Sequence, residues 1–491
     1  MRTVISNTLC LRGGQASAPE RLTMVFEKGQ IAALLPADAV VPDQADERID
    51  GRRLLAVPGF VNAHTHSPYN LVRGSAPMLP LELWSLHASA GSERRTAREV
   101  EVSALLGAVE MLRTGTTTVL DHIRIAPDIE GDLLDATAEA YRHAGMRAVI
   151  APVVADKPLL ETLPLDSADF GGEEVAGYAA RPTLPARRQV EIVEAFAARW
   201  RDDPLVSVGI GPSGPQRCTP ELLVMAEDFA RRHETIAHMH VLETRAQAEM
   251  GRRLHPGGML AYLDDLGVLS SRSNLVHANW LAKGDVERIA QRDAAVIHNP
   301  VSNVRLASGR CPLPRLLRSG IRVGLGTDGA CCNDSGNMLE TLKWAAILHN
   351  DEAEDPARWI QPGTALRLAC EGGADAIGLG KVAGRLDAGM AADVCLLDLD
   401  TTAFVPLSDP VRQLVLSETG GAVRHVFVDG RAVLRDGRCT SVDEPSLFAE
   451  AQELSDRRRR DNQDVYAAAS RLDGPIRRMR RRLLSSCEIA A

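Results

Sequence analysis

Between about residue 57 and residue 383 the chain alternates short apolar runs with longer segments of helical periodicity. The runs are AVPGFVNAHTH (56–66), TTTVLDH (116–122), RAVIAPVV (147–154), LVSVGIGP (205–212), TIAHMHV (235–241), NLVHANWL (274–281), AAVIHNP (294–300) and IRVGLGTD (321–328). Most are continuous rather than alternating, which is the pattern of parallel strands covered on both faces. Between them, REVEVSALLGAVEMLRTG (98–115) spaces its apolar residues by three and four and stops at Gly115, so it predicts a helix. Eight such runs with helices between them predict an α/β fold built on a (β/α)8 barrel of the TIM type, with insertions. An open doubly wound sheet is the alternative. Its first turn ordinarily carries G-x-G-x-x-G, and histidines stand there instead.

The two ends have a different texture. Residues 1–56 and 384–440 read as short strands broken by tight turns, including Asp429-Gly430 and Asp436-Gly437. They are expected to pair into one small β-sandwich domain beside the barrel. The expected organisation is 1–56 as the first part of that domain, 57–383 as the barrel, 384–440 as the second part and 441–491 as a helical tail. The tail carries Arg runs at 457–460 and 477–482, the second interrupted by Met479. These are expected on a solvated or subunit-facing surface, and a homo-oligomer is expected.

Charge and composition narrow the partners. The formal net charge of −9 argues against a broad nucleic-acid surface. Apolar stretches fall short of the roughly 20 residues of a membrane-spanning helix. Nine scattered cysteines suit reduced thiols better than a disulfide framework, and the first residues lack a signal-peptide layout, so a cytoplasmic location is expected.

The candidate chemistry lies at strand ends. His64, His66, His122, His240, His277 and His298 all fall at or near the C-terminal end of an expected barrel strand, and in such a barrel those ends share one face. With a period of two, His64 and His66 point to the same side. The fifth strand continues from His240 to Glu243, and the eighth ends in Thr327-Asp328-Gly329. Imidazoles with one carboxylate suit a divalent metal that lowers the pKa of water toward about 7.

These pieces resemble the amidohydrolase superfamily. The resemblance is carried by Pro58-Gly59-Phe60-Val61-Asn62-Ala63-His64-Thr65-His66, His240-Val-Leu-Glu243-Thr244, Leu275-Val276-His277, His298-Asn299-Pro300-Val301-Ser302-Asn303, Gly324-Leu325-Gly326-Thr327-Asp328-Gly329 and Gly384-Arg-Leu-Asp-Ala-Gly389-Met-Ala-Ala-Asp393. It covers about residues 1–440. More narrowly it is similar to the mononuclear branch of cytosine, guanine and S-adenosylhomocysteine/methylthioadenosine deaminases and triazine hydrolases. It implies one divalent ion, zinc before iron or manganese, on His64, His66, His240 and Asp328. It implies Glu243 as the proton-shuttling carboxylate, with His277 and Asp328 acting on the attacking water. His238 competes with His240 for the ligand position and is expected to be a buried hydrogen-bonding residue. The fourth strand, 205–215, has no Lys of the kind binuclear members carboxylate, so one metal is expected rather than two.

The implied reaction is deamination of an amino-substituted N-heterocycle of purine, pterin, pyrimidine or triazine type. Alternatives are expulsion of another ring substituent, hydrolysis of a cyclic amide, or an inactive barrel scaffold. Trp84, Glu82, Gln216, His277 and Asn303 are the expected substrate contacts. Trp84 offers a stacking face and Glu82 an acceptor for ring or ribose donors. S-adenosylhomocysteine-type deaminases usually carry a histidine where Ser213 stands, and that departure counts against a nucleoside. His122 and His298 are expected behind the site, Cys331 and Cys332 as packing residues, and the 156–185 loop as a candidate lid.

Overall fold

The structure, a computed structural model, describes residues 2–13, 18–41, 44–92, 95–124, 129–170 and 183–485. The chain begins with β1 (Arg2–Cys10), β2 (Glu20–Glu27), β3 (Gln30–Pro36), β4 (Glu47–Asp50) and β5 (Leu54–Pro58). After Gly59 come β6 (Phe60–Thr65), β7 (Thr116–Asp121), β8 (Arg147–Ile150), β9 (Val153–Val154), β10 (Val206–Val208), β11 (Gly211–Pro212), β12 (Ala237–Val241), β13 (Ser273–His277), β14 (Ala295–His298) and β15 (Val323–Leu325). The last strands are β16 (Val394–Asp398), β17 (Val423–Val428), β18 (Arg431–Arg435) and β19 (Arg438–Cys439).

The barrel is two parallel arcs, β6-β7-β8-β10 and β12-β13-β14-β15. Backbone hydrogen bonds close both seams. Ile210 N donates to Ile236 O (3.1 Å) and His238 N to Ile210 O (2.9 Å) at one seam, and Asp328 N donates to His64 O (2.9 Å) at the other. Neighbouring residues on each strand enter different apolar clusters. Leu120, Val149, Val276 and Ile297 share one, whereas Val119, Ala148, Leu275 and Val296 belong to the large cluster that runs out to the helices at Leu105, Phe196, Phe229 and Leu342. Burial of both faces is why these strands read as unbroken apolar runs.

The strands of the two chain ends join in one nine-stranded sheet, ordered β19-β18-β17-β16-β5-β1-β2-β3 with β4 on β1. Its central seam is the antiparallel pair β5–β16, with Val394 opposite Pro58 and Asp398 opposite Leu54. The sheet curls over its own apolar face. Phe26 on β2 and Phe427 on β17, separated by three strands along the hydrogen-bonded path, meet edge to face at 5.5 Å. A buried ion pair ties this sheet to the barrel. Arg147 on β8 gives Nε to Asp393 Oδ2 (2.8 Å) and Nη2 to Oδ1 (3.2 Å), and Oδ1 also accepts the Asp429 N–H (2.7 Å).

The C-terminal helices Glu444–Asp461, Gln463–Ser470 and Asp473–Ser485 fold back over the barrel. Their Val465, Ala469, Ile476, Met479 and Leu483 pack on Leu83, Leu86, Ala90 and Ala246. The expectation of a solvated arginine surface holds for part of the two runs only. Arg458 is buried against Gly91 O and Glu99, and Arg478, Arg480 and Arg482 bond to the chain's own loops, while Arg459, Arg460, Arg477 and Arg481 remain exposed. The inward guanidiniums are partnered by carbonyls and carboxylates from distant segments. Among the described residues, no helix is long and apolar enough to cross a membrane.

Removing one partner of a buried, bidentate pair strands the other charge. Asp393→Ala is therefore expected to cost about 3–5 kcal/mol, whereas Arg98→Ala, at the solvent-exposed pair with Glu450, is expected to cost under about 1 kcal/mol. Urea unfolding midpoints of the two variants check this.

Candidate metal and catalytic site

At the C-terminal rim of the barrel, strand ends deliver the side chains. His64 lies one residue before the end of β6 and His66 just past it; His240 lies on β12, His277 ends β13 and Asp328 follows β15. All are buried or nearly so. Gly326 lets β15 approach β6, since a Cβ there would sit 2.7 Å from His64 Cβ. His277 (φ 75°) and Asp328 (φ 64°) both occupy the left-handed region, which for residues other than glycine costs on the order of 1–3 kcal/mol each.

The second ring nitrogen of each imidazole decides what the first offers. His66 Nδ1 lies 2.6 Å from the His122 carbonyl oxygen and His240 Nδ1 2.7 Å from that of Ser213. A carbonyl only accepts, so both Nδ1 atoms carry the proton and both Nε2 atoms present lone pairs. Those lone pairs face each other at 3.3 Å, and Asp328 Oδ1 stands 3.4 Å from His66 Nε2. His64 Nε2, 3.5 Å from the same oxygen, is buried with no hydrogen-bond partner. Three acceptors without a donor between them repel unless a cation sits among them, so this donor set fits a divalent ion. His64, His66, His122 and His240 bring ligand atoms within 4.8 Å of one another, and so do His64, His277 and Asp328. His122 is also committed elsewhere, its Nε2 lying 3.2 Å from Gly211 O.

Burial sets the protonation states. It pushes the His64 imidazole down to about 4 and holds His122, His238 and His240 well below the ordinary histidine range, each lowered further by neighbouring imidazoles. Burial also opposes the Asp328 carboxylate, but the surrounding imidazoles His64, His66 and His277 outweigh it and keep Asp328 ionised. Glu243 goes the other way. Burial and then the negative charge of Asp328 raise its carboxyl well above the usual range. Its Oε1 accepts the Ser308 hydroxyl (2.9 Å) and its Oε2 lies 3.6 Å from His277 Nε2.

The supporting residues were less visible in the sequence. Ser302 donates to Asp328 Oδ2 (2.7 Å) from the first turn of the helix that follows β14, and Ser308 holds Glu243. Serines are common, and only the fold brings these two to carboxylates. His238 Nε2 lies 2.8 Å from His64 Nδ1, so it braces a candidate ligand from behind. Asn303, expected to touch substrate, does not face the cleft. Its amide oxygen lies 2.8 Å from His277 Nδ1 and its nitrogen donates to Asn279. It therefore fixes the His277 tautomer with Nε2 as the open lone pair.

A cleft, open at its mouth, leads to these groups. His66, His240, Glu243, His277 and Asp328 line its inner end, with Glu82, Trp84 and Gln216 along its walls. Tyr69, Arg124 and Arg217 join them, the arginines unforeseen in the sequence. Trp84 donates its indole N–H to Cys331 O (2.8 Å) and meets Tyr69 edge to face, leaving its ring against the cleft. Cys331 and Cys332 are buried in that packing. His298 turns instead to His349, at 3.3 Å. Of the 156–185 loop, Leu159, Thr162 and Leu163 line the cleft, and residues 171–182 lie outside the described residues.

Comparison with known proteins places the chain. Residues 55–433 match the amidohydrolase family. A 5-methylthioadenosine/S-adenosylhomocysteine deaminase of Syntrophobacter fumaroxidans is 33% identical over 417 residues, covering 84% of this chain and 88% of that protein. A 5'-deoxyadenosine deaminase of Methanothermobacter thermautotrophicus is 32% identical over 438 residues, 89% of this chain and 95% of the other. Among solved structures, an adenosine deaminase from Xanthomonas campestris with bound zinc superposes with a TM-score of 0.82 at 28% identity, covering 93% of this chain and 98% of that one. An atrazine chlorohydrolase of Arthrobacter aurescens shares the fold, with a TM-score of 0.81 at 24% identity over 92% of this chain and 100% of its own.

The facing lone pairs generate a direct expectation. Wild-type protein exposed to zinc and then gel-filtered should retain about one divalent ion per chain by elemental analysis, and His66→Ala or His240→Ala should retain far less. Equal retention by the variants would place the ion elsewhere.

Proposed function

The chain belongs to the amidohydrolase family, and from that premise we propose that it deaminates a purine nucleoside by hydrolysis, releasing ammonia. The observation that carries the proposal is Glu243: a buried carboxyl at the inner end of a cleft, beside His277 and Asp328, its pKa pushed upward by burial while that of Asp328 is pushed down. Two carboxyl groups pushed in opposite directions are the ordinary arrangement of a paired acid and base. The substrate class is supported by relatives over 30% identical along most of the chain, which are named as deaminases of adenine nucleosides.

In this reading His64, His66, His240 and Asp328 hold a divalent ion, with His122 and His238 bracing them. Zinc is the proposed ion, since neutral imidazoles with one carboxylate suit it. When bound, it supplies the Lewis acidity that makes water a competent nucleophile at neutral pH. Glu243 donates its proton to a ring nitrogen, which removes aromaticity and makes the amino-bearing carbon electrophilic. Asp328 accepts a proton from the attacking water, held in place by Ser302 and by the Gly329 N–H (2.7 Å). The open Nε2 of His277 accepts a hydrogen bond from the same water. The amino group takes up the proton that Asp328 received and leaves as ammonia, while the ring carbon keeps the oxygen, whose remaining proton returns to Glu243. Trp84 offers a face to the base, Gln216 an unpartnered buried amide oxygen to a ring edge, and Glu82 an unpartnered buried carboxylate oxygen to a sugar hydroxyl.

The eight cysteines among the described residues are free, and all but Cys439 are buried, which is compatible with a proposed cytoplasmic setting. A homo-oligomeric state remains part of the proposal.

Ammonia release from adenosine, 5'-methylthioadenosine, 5'-deoxyadenosine and control pyrimidines and triazines tests the substrate class. Glu243→Gln should keep its metal and its melting temperature while kcat falls at least about 100-fold. A variant with unchanged turnover overturns the role given to Glu243.

A further inference from the structure

Glu82 stands in a wall between two spaces. On one side is the main cleft; on the other is a smaller cavity bounded by Thr244, Trp280, Ser308, Arg480 and Leu483. The two oxygens of its carboxylate have different surroundings. Oε2 is held by the guanidinium of Arg480, 398 residues away in the chain. Oε1 is buried and has no hydrogen-bond partner. Arg480 occupies one oxygen of the buried carboxylate and leaves the other free to accept.

Arg480 is itself fixed. It lies in the helix Asp473–Ser485, whose Ile476, Met479 and Leu483 pack on Leu83, Leu86 and Ala246. Arg482 on the same helix pairs with Asp169 (2.6 Å), and Arg478 bonds to the Asp169 and Phe170 carbonyls. The helix thus grips both the helix that carries Glu82 and the segment whose Leu159, Thr162 and Leu163 line the cleft.

We propose that Arg480 is a positioning residue for sugar recognition: by holding Glu82 Oε2 it aims the free Oε1 at the hydroxyls of a ribosyl group, making the C-terminal helix part of the substrate site. The chemistry is that of a fixed carboxylate accepting from a vicinal diol. The inference rests on the nucleoside reading given above.

The test compares adenosine with 2',3'-dideoxyadenosine, using turnover where it occurs and competition where it does not. In wild type, adenosine should bind more tightly than the dideoxy compound. Arg480→Gln should raise KM for adenosine about tenfold, with kcat and the dideoxy affinity little changed, and Arg480→Lys should recover most of the loss. A rise for both compounds alike, or for neither, overturns the proposal. If Arg480→Gln does not fold, Glu82→Gln against Arg480→Lys decides: loss of the ribosyl preference in the first and its retention in the second is the expected result, and a preference retained in both overturns the proposal. A wild-type enzyme that turns over other heterocycles but no nucleoside overturns the proposed function, and this inference with it. An active nucleoside deaminase whose preference ignores Arg480 overturns the inference alone.

Discussion

Acceptor groups pressed together without a proton between them are the constraint from which the rest of this structure follows. The Nε2 atoms of His66 and His240 meet at 3.3 Å because the carbonyls of His122 and Ser213 have taken the only ring protons. Such a cluster is unfavourable on its own account and has to be imposed from outside. Barrel closure imposes it. The same seam that bonds Asp328 N to His64 O brings a carboxylate to the imidazoles, and two residues at that rim accept left-handed backbone to face inward. Burial then divides the labour. It pushes the His64 imidazole down and the Glu243 carboxyl up, while Asp328 stays well below the usual carboxylate range.

How much of this the sequence disclosed depended on the range of the interaction. The barrel was legible because burial on both faces leaves a trace at every position of a strand, as in the unbroken runs ending at His240 and His277. The inward histidines were legible because a period of two is local. Their order along the chain added the resemblance. The supports were not legible. Nothing near Ser302 or Ser308 announces a carboxylate partner, and Asn303 looks as suited to a ligand as to the back of His277. The arginine runs were the furthest from view. A guanidinium facing water and one spanning the fold to Glu82 are written with the same letters, and only packing of Met479 and Leu483 on Leu83 and Leu86 distinguishes them.

The amidohydrolase framework and the surroundings of the cleft therefore answer to different parts of the chain. The rim of strand ends supplies chemistry that the family shares. The walls come from the segment after β6, from Arg124, from residues 159–163 and from Gln216 and Arg217, and they differ in character from the rim: arginines, a tryptophan and unpartnered carboxylate and amide oxygens. Selectivity among heterocycles is set by such groups, because each unpaired polar atom penalises a substrate that fails to satisfy it.

The pairing of β5 with β16 has a consequence for how the polypeptide is made. Leu54–Pro58 leaves the ribosome well before its antiparallel partner Val394–Asp398, which follows only after the entire barrel has been translated. At roughly 5–20 residues per second, that interval lasts tens of seconds. Throughout it β5, whose residues are all apolar, lacks the strand that covers this edge in the folded protein, the situation in which an edge invites pairing with another chain.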